Sequence, residues 1–447
     1  MVVSDCFVHA SDLHLDAPLG SLGLLTEARR RDLAERAAKA WDNLVDLCLE
    51  REASFLVLAG DIFDDAQAGV AVQIRFHNGL RRLTDDGVQV FVCHGNHDPL
   101  SEGFRPIGDL PDGVVRFAPG APQSHRVTLR ESGDVVLVSG VSFGQRSETE
   151  NLALRFRSTD RHPGAPHVAV LHANVGGHSG HDPYAPCSYD DLTAAPVDYW
   201  ALGHIHKRDV RPLPNGSRAA YCGNLQGRSF KPAECEPKGA LVVPIVGDHF
   251  GEPEFVSCDA VRFERSEIVV ESSDSIVDVR DRVVEAAHSI GEDHSPRPVA
   301  WHARITGALE EARWLQDSVA DGEFVGEIED ELSTALGGGG LCRLELAVRT
   351  PVDRQAVLGS GDLFADVVER LQQLRQGSTG ASDGTGPAEE TTGSEDVDDL
   401  LLEGLPSGLH GVWREIREQH PDRLATAIDL AEQLLLVIYA GAQESRP

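Results

Sequence analysis

The stretch Asp198-Tyr199-Trp200-Ala201-Leu202-Gly203-His204-Ile205-His206 runs apolar, meets a glycine and ends on two histidines two residues apart. Taken alone, such a pair reads first as two imidazoles on one face of a surface strand. What decides its meaning is whether other strands of the chain end in the same way.

Short apolar runs with β-branched residues recur up to about residue 260: Cys6 to Ala10, Phe55 to Ala59, Val88 to Cys93, Val135 to Gly140, Val168 to Leu171, Tyr199 to Leu202 and Ala240 to Val246. Their length and composition predict buried strands. Five of these runs lead into residues that bind divalent metals: Asp12 with His14, Asp61 after Gly60, Asn96 with His97, His172, and His204 with His206. Any one of these groups is common, but their ordered recurrence at strand ends is specific. Mixed carboxylate, imidazole and amide donors suit Mn²⁺, Fe²⁺ or Zn²⁺ better than the all-oxygen shells of Ca²⁺ and Mg²⁺ or the thiolate sites of structural zinc.

Leu33, Ala37, Trp41, Leu44 and Cys48 recur at helical spacing behind a candidate Thr26 cap, which predicts helix between Thr26 and Glu52. A second helix is expected over Val70 to Leu83. Strands alternating with helices early, then following one another more directly, predict an α/β domain with more than one sheet. From about Ser266 the pattern restarts as strand, helix, strand, helical stretches and strand, ending near Val348, the pattern of a small α+β domain. Residues 376–399 are Gly, Ser, Thr, Asp and Glu with almost nothing apolar, a composition expected of a flexible acidic linker. Beyond it, Leu400 to Leu405 and Leu424 to Tyr439 are apolar at helical spacing and either dock back on the body or bind a partner helix. The expected organisation is a first domain at 1–262, an accessory α+β domain at 263–375, the linker at 376–399 and a helical segment at 400–447.

Among the 447 residues, 72 carboxylates outnumber 40 basic side chains, of which only four are lysine, for a net charge of −32. Nonspecific affinity for polyanions is therefore not a property of the whole surface. The bias toward Arg and Asp fits a GC-rich genome or a salt-adapted cytoplasm. Eight scattered cysteines form no C-x-x-C pair and read as small buried hydrophobes in a reducing compartment. With no long apolar run, and with Asp5 and His9 where a signal peptide has a basic region and an apolar core, a cytoplasmic location and no membrane contact are expected.

The blocks Asp12-Leu13-His14, Gly60-Asp61-Ile62-Phe63-Asp64, Gly95-Asn96-His97-Asp98, His172 and Gly203-His204-Ile205-His206 resemble, in order, those of the calcineurin-like metallophosphoesterase superfamily. With Ser11 to Asp16 and Gly223-Asn224-Leu225-Gln226-Gly227-Arg228, they look like the SbcD and YhaO group of DNA-repair exonucleases, the YhaO branch above all. The Ser/Thr phosphatase branch fits less well, because Gly60-Asp61 is not followed by V-D-R-G and Asp98 stands where that branch has Glu.

This resemblance implies a four-layer sandwich, two β-sheets flanked by helices, with a smaller α+β capping domain and C-terminal helices. It implies two divalent metal ions, Mn²⁺ by preference, one held by Asp12, His14 and His206, the other by Asn96, His172 and His204, with Asp61 bridging. His97 would stabilise the transition state or protonate the leaving oxygen, with Asp98 as its orienting partner. Asn224 and Arg228 would meet substrate, Arg228 through the DNA backbone. The implied partners are DNA and an SbcC-like coiled-coil ATPase, and a homodimer is among the expectations.

Asp16, Asp64 and Asp65 are expected either to cap helices or to hydrogen-bond metal-bound imidazoles, Asp64 above all. His9 and His94 read as structural, and His178 and His181 as exposed loop residues. Arg29 to Arg31, Arg81 and Arg82 are candidate local contacts for phosphate. Beside the nuclease stand two other readings: a phosphodiesterase for small nucleotides or cyclic nucleotides, and a scaffold that tethers a partner through its last helices.

Overall fold

The computed structural model describes residues 5–65, 68–100, 108–159, 164–177 and 182–351. The expected linker at 376–399, the helices after 400, and His178 and His181 lie outside these residues.

The chain opens with β1 (Cys6–Ala10), α1 (Glu27–Ala37), α2 (Ala40–Glu50), β2 (Phe55–Ala59), α3 (Val70–Asp85) and β3 (Gln89–Cys93). There follow β4 (Val114–Arg116), β5 (Gln123–Thr128), β6 (Val135–Val141), a 3₁₀ turn at Leu152–Ser158 and β7 (His167–His172). Next come α4 (Tyr189–Thr193), β8 (Tyr199–Gly203), β9 (Asp209–Pro212), β10 (Arg218–Tyr221), α5 (Pro232–Cys235), β11 (Gly239–Val246), β12 (His249–Phe250) and β13 (Glu254–Ser257). The later part adds β14 (Arg262–Val270), α6 (Ile276–His294), β15 (Val299–Ala308), α7 (Ala312–Ala320), α8 (Glu323–Ala335) and β16 (Gly340–Arg349).

Two sheets organise the first part. One has the order β12-β11-β1-β2-β3-β4, with β13 paired to β11, and the other the order β5-β6-β7-β8-β10-β9. Strands β1 to β4 run parallel, as do β6, β7, β8 and β10. Side chains alternate across each strand, so the apolar runs supply two faces at once. Phe7, Phe55 and Phe91 point between the sheets against Val138, Val170 and Tyr199. Val8, Leu56 and Val90 point the other way onto Trp41, Leu44 and Leu80 of α2 and α3. The opposite outer face of the second sheet is covered by Leu152, Phe156 and Leu192. Helices, sheet, sheet and helices make the four layers, and each large side chain fully buried between them contributes roughly 1.5–3 kcal/mol.

The helix expected between Thr26 and Glu52 is two helices. Thr26 caps the first, its Oγ1 accepting from Arg29 N at 3.4 Å, and the chain turns at Ala38 and Lys39 before α2. The break follows from two different cores: Leu33 and Ala37 of α1 pack with Phe230, Phe263 and Cys342, while α2 buries Trp41 and Leu44 against the first sheet.

Strands β14, β15 and β16 form a separate three-stranded sheet. The described residues divide into two compact units, one made of those up to Ile268 with Arg280–Arg304 and Val325–Glu345, the other of Val269–Val279, Ile305–Phe324 and 346–351. Both sheets of the sandwich belong to the first. Among the described residues no helix is long and apolar enough to cross a membrane.

Candidate metal centre

Parallel strands of both sheets end on one floor, as expected of a site at the carboxyl ends of an open α/β sheet. Asp12, Asp61 and Asn96 lie just past β1, β2 and β3, His172 closes β7, and His204 follows β8. The backbone leaves the extended region abruptly there, with φ of 50° at Asp12, 43° at His14, 50° at Asp61 and 94° at His204. Side chains rarely adopt these angles, and their clustering marks a site whose surroundings enforce them. Hydrogen bonds do so here: Asp12 N donates to Gly60 O and His14 N to Asp61 O, both at 3.0 Å, and His204 N donates to Asp12 Oδ1 at 3.0 Å.

Gly203 is required by proximity. A Cβ there would lie 1.9 Å from Ala59 O and 2.8 Å from His172 Nδ1. That same Ala59 carbonyl accepts from His172 Nδ1 at 3.0 Å, so the glycine makes room for the bond that orients the ring.

A carbonyl only accepts, so His172 Nδ1 carries a proton, and Nε2 faces Asn96 Oδ1 at 3.0 Å and Asp61 Oδ2 at 3.3 Å. His14 repeats the pattern: Nδ1 bonds Asp64 Oδ1 at 3.0 Å and Nε2 faces inward. In His206, Nδ1 bonds Glu234 Oε1 at 2.9 Å. The inward Nε2 atoms of His14 and His206 oppose each other at 3.2 Å, with Asp61 Oδ2 3.8 Å from the first and Asp12 Oδ1 3.9 Å from the second. Lone pairs so converged demand either an extra proton or a cation between them. Asp12, His14 and His206 form one group whose ligand atoms all lie within 4.8 Å of one another, and Asp12, Asp61 and His172 form another. Donors of these types in this arrangement fit divalent cations.

The electrostatics agree. Burial opposes ionisation of Asp61, but the His172, His14 and His97 rings outweigh it and hold the carboxyl well below the usual carboxylate range. Burial likewise disfavours charge on His172, yet Asp61 raises the ring to about 9. His204 is held down to about 4 by burial and by His172. Its Nε2 bonds the Asp182 carbonyl at 2.8 Å, which leaves Nδ1 as the ring's lone-pair atom.

His97 lines a cavity of about 390 Å³ above this floor, together with Asp61, Asn96, Tyr184, Lys231 and Glu234. Its orienting partner is not Asp98. His97 Nδ1 bonds Asp64 O at 3.0 Å and lies 3.3 Å from Asp64 Oδ1. Asp98 is fully buried: its carboxylate accepts from Ile62 N and Gly95 N, both at 2.9 Å, and contacts His94 Nδ1 at 3.0 Å. Asp98 thus ties the second and third blocks together, and Asp64 serves both His14 and His97.

Asn224 and Arg228, expected at the substrate, are turned to the protein itself. Arg228 donates to the carbonyls of Leu13, His14 and Ala17, bracing the loop after β1. Asn224 is fully buried and donates to Glu234 Oε2 at 2.9 Å. Three of the arginines expected to meet phosphate are likewise engaged: Arg29 with Glu329 and Asp330, Arg31 with Glu27, and Arg82 with Asp46.

Glu234 is the residue that sequence reasoning missed. It is buried in the four-residue helix α5, accepts from Arg228 N at 3.1 Å as well as from Asn224, and bonds His206. Burial alone would raise its carboxyl, yet the bond to His206 lowers it to about 2. Its one signal is an acid in Lys231-Pro232-Ala233-Glu234, closely following the Gly-Arg block.

Residues 7–208, which include all seven expected ligands, match the calcineurin-like phosphoesterase family. Over 298 residues, 66% of its length, the chain is 32% identical to the uncharacterized metallophosphoesterase YhaO of Bacillus subtilis, 71% of which is covered. The chain belongs to the calcineurin-like phosphoesterase family. This phosphoesterase is also similar to the DNA double-strand break repair protein Mre11 of Methanocaldococcus jannaschii, at 24% identity covering 54% of this chain and 63% of that protein. The Mre11 protein of Methanopyrus kandleri is 26% identical, with 59% of each chain covered. The chain therefore spans less than two thirds of the length of these two Mre11 proteins.

Proposed function

We propose that this phosphoesterase hydrolyses phosphodiesters of DNA, as an exonuclease or endonuclease acting in repair. The convergence of Asp12, His14, Asp61, Asn96, His172 and His206 on one floor carries the reading, and similarity to Mre11 proteins supports DNA as substrate. In this reading Asp12, His14 and His206 would hold one divalent cation and Asn96, His172 and His204 a second, with Asp61 serving both. When bound, such ions, Mn²⁺ by preference, make water nucleophilic near neutral pH and offset charge growing on the phosphoryl oxygens.

The chain's own groups do the rest. Asp64 fixes the His97 ring through Nδ1, so Nε2 is the atom left to face substrate, where a proton on it hydrogen-bonds a phosphoryl oxygen or passes to the leaving oxygen. Glu234 and Asp64 hold His206 and His14 in single orientations, which limits the reorganisation needed when cations arrive. Lys231, exposed at the cavity, offers a positive charge to a phosphate.

An SbcC-like coiled-coil ATPase is the partner this reading carries, supplying DNA affinity that the −32 net charge does not. The same net charge favours a second reading, a small nucleotide diester as substrate. Parallel assays with Mn²⁺, one on linear DNA and one on a small chromogenic diester, separate the two. Cleavage of DNA is the expected result, and turnover of the small diester alone would leave only the second reading.

A further inference from the structure

Helix α5 stands between two cavities. Lys231, Ala233 and Glu234 line the one above the metal floor, while Pro232 and Cys235 line a second of about 380 Å³. The other wall of the second cavity comes from β14 and β15, with Glu264, Arg265, Ser266, Glu267, His302 and Arg304. None of these residues has a role in the metal centre.

Three features define what the second cavity takes. His302 is only 6% exposed, and neither of its ring nitrogens has a hydrogen-bond partner. Glu345 Oε2 is 3.7 Å from Nε2, beyond hydrogen-bond reach. Burial, then Arg343 and Arg265, hold the ring below the ordinary histidine value, which favours the uncharged imidazole. Such a ring offers one donor and one acceptor, and here both lack a partner.

Arg265 is exposed, and its guanidinium makes one long bond, to Phe230 O at 3.4 Å. Among the described residues it has no ion pair, whereas Arg304 lies 3.4 Å from Glu345 and 3.6 Å from Glu267, and Glu264 bonds His294 at 3.0 Å. Phe230, edge-on to His302 with ring centroids 5.4 Å apart, supplies an apolar contact beside these polar groups.

A bare anion would leave the acceptor nitrogen of His302 unpaired, and a cation would be repelled by Arg265 and Arg343. A planar group that both donates and accepts, joined to a negative charge, satisfies His302 and Arg265 together. A nucleotide has that chemistry, and the volume falls within the usual range for small-ligand sites.

The two cavities are also close. They lie on different faces of α5, and an α-helix with its side chains is about 10–12 Å across. We propose that the cavity between α5, β14 and β15 is a subsite for one unpaired nucleotide of a DNA strand, on the far side of α5 from the phosphodiester at the metal floor, its base on His302 and its phosphate on Arg265. This rests on the DNA reading above and sharpens it, because a substrate spanning both cavities is a polynucleotide.

The test uses the full chain with Arg265→Ala and His302→Ala. Binding of a fluorescent single-stranded 12-mer is measured in EDTA, and turnover of bis(p-nitrophenyl) phosphate in Mn²⁺. Each variant is expected to bind the oligonucleotide roughly tenfold more weakly, the scale of one lost base or phosphate contact, with turnover of the small diester unchanged. If His302→Ala does not fold, Arg265→Ala, altered at an exposed side chain, decides alone. Unchanged oligonucleotide binding overturns the subsite while wild-type DNA cleavage keeps the nuclease reading intact. An equal fall in both measurements assigns these residues to structure and overturns it too. If wild type turns over the small diester but neither binds nor cleaves DNA, the nuclease reading fails and the subsite with it.

Discussion

The Nε2 atoms of His14 and His206 face each other across 3.2 Å, each ring held from behind by a carboxylate, Asp64 for one and Glu234 for the other. The two rings come from loops after strands of different sheets. Their opposition suits this floor to cations and, in the proposed reading, makes the two carboxylates as consequential as the histidines they orient.

Glu234→Ala frees the His206 ring and is expected to weaken Mn²⁺ binding roughly 10–100-fold. Glu234→Gln keeps an oxygen that accepts from Nδ1 and should retain most of the affinity. Calorimetric titration with Mn²⁺ measures both, and wild-type affinity in the alanine variant would show that the bond to His206 at 2.9 Å is incidental.

His97→Ala is expected to leave Mn²⁺ binding intact and lower kcat roughly 10²- to 10⁴-fold. Asp64→Ala should reduce both, since Asp64 contacts His14 and His97 alike. Comparing metal affinity with turnover separates these patterns, and an Asp64 variant with unchanged metal affinity would contradict its part in holding His14.

Arg228→Lys is expected to act on stability before DNA affinity. A lysine ammonium cannot span the carbonyls of Leu13, His14 and Ala17 as the guanidinium does. A loss of about 1.5–3 kcal/mol is expected, seen as a lower denaturant midpoint. Unchanged stability with weakened DNA binding would return Arg228 to the substrate.

Asp5 gives a pH prediction away from the centre. Burial pushes its carboxyl up, but hydrogen bonds from Glu131 N, Ser132 N and Ser54 Oγ more than compensate, and its pKa lies below the ordinary value. A depressed carboxyl stabilises the fold fully above its unfolded pKa of about 3.9, and the contribution disappears as pH falls through the folded value. Asp5→Asn should therefore be less stable than wild type by about 1–3 kcal/mol at pH 7, with the gap narrowing below about pH 3.9. A gap that stays constant down to pH 2 would contradict this.

Much of the centre is legible in the sequence because the residues proposed as its ligands follow strands that are apolar on both faces, such as Phe55–Ala59 and Tyr199–Gly203. Strands that lack such runs are not legible. Gln123–Thr128 is a largely exposed edge strand and Arg218–Tyr221 is only four residues long. The partner of His97 is hidden for a different reason: Asp64 and Asp98 both belong to the blocks, and only the folded loops place Asp98 under Ile62 and Gly95. Glu234 belongs to no block, and its place beside His206 comes from the return of the chain after β10.

The most direct measurement is cleavage of linear DNA in Mn²⁺ by wild type, Asp61→Ala and His97→Ala, with metal content determined for each. Wild type should cleave, Asp61→Ala should lose both metal and activity, and His97→Ala should keep metal but lose activity. Equal cleavage by all three proteins would contradict catalysis at this centre.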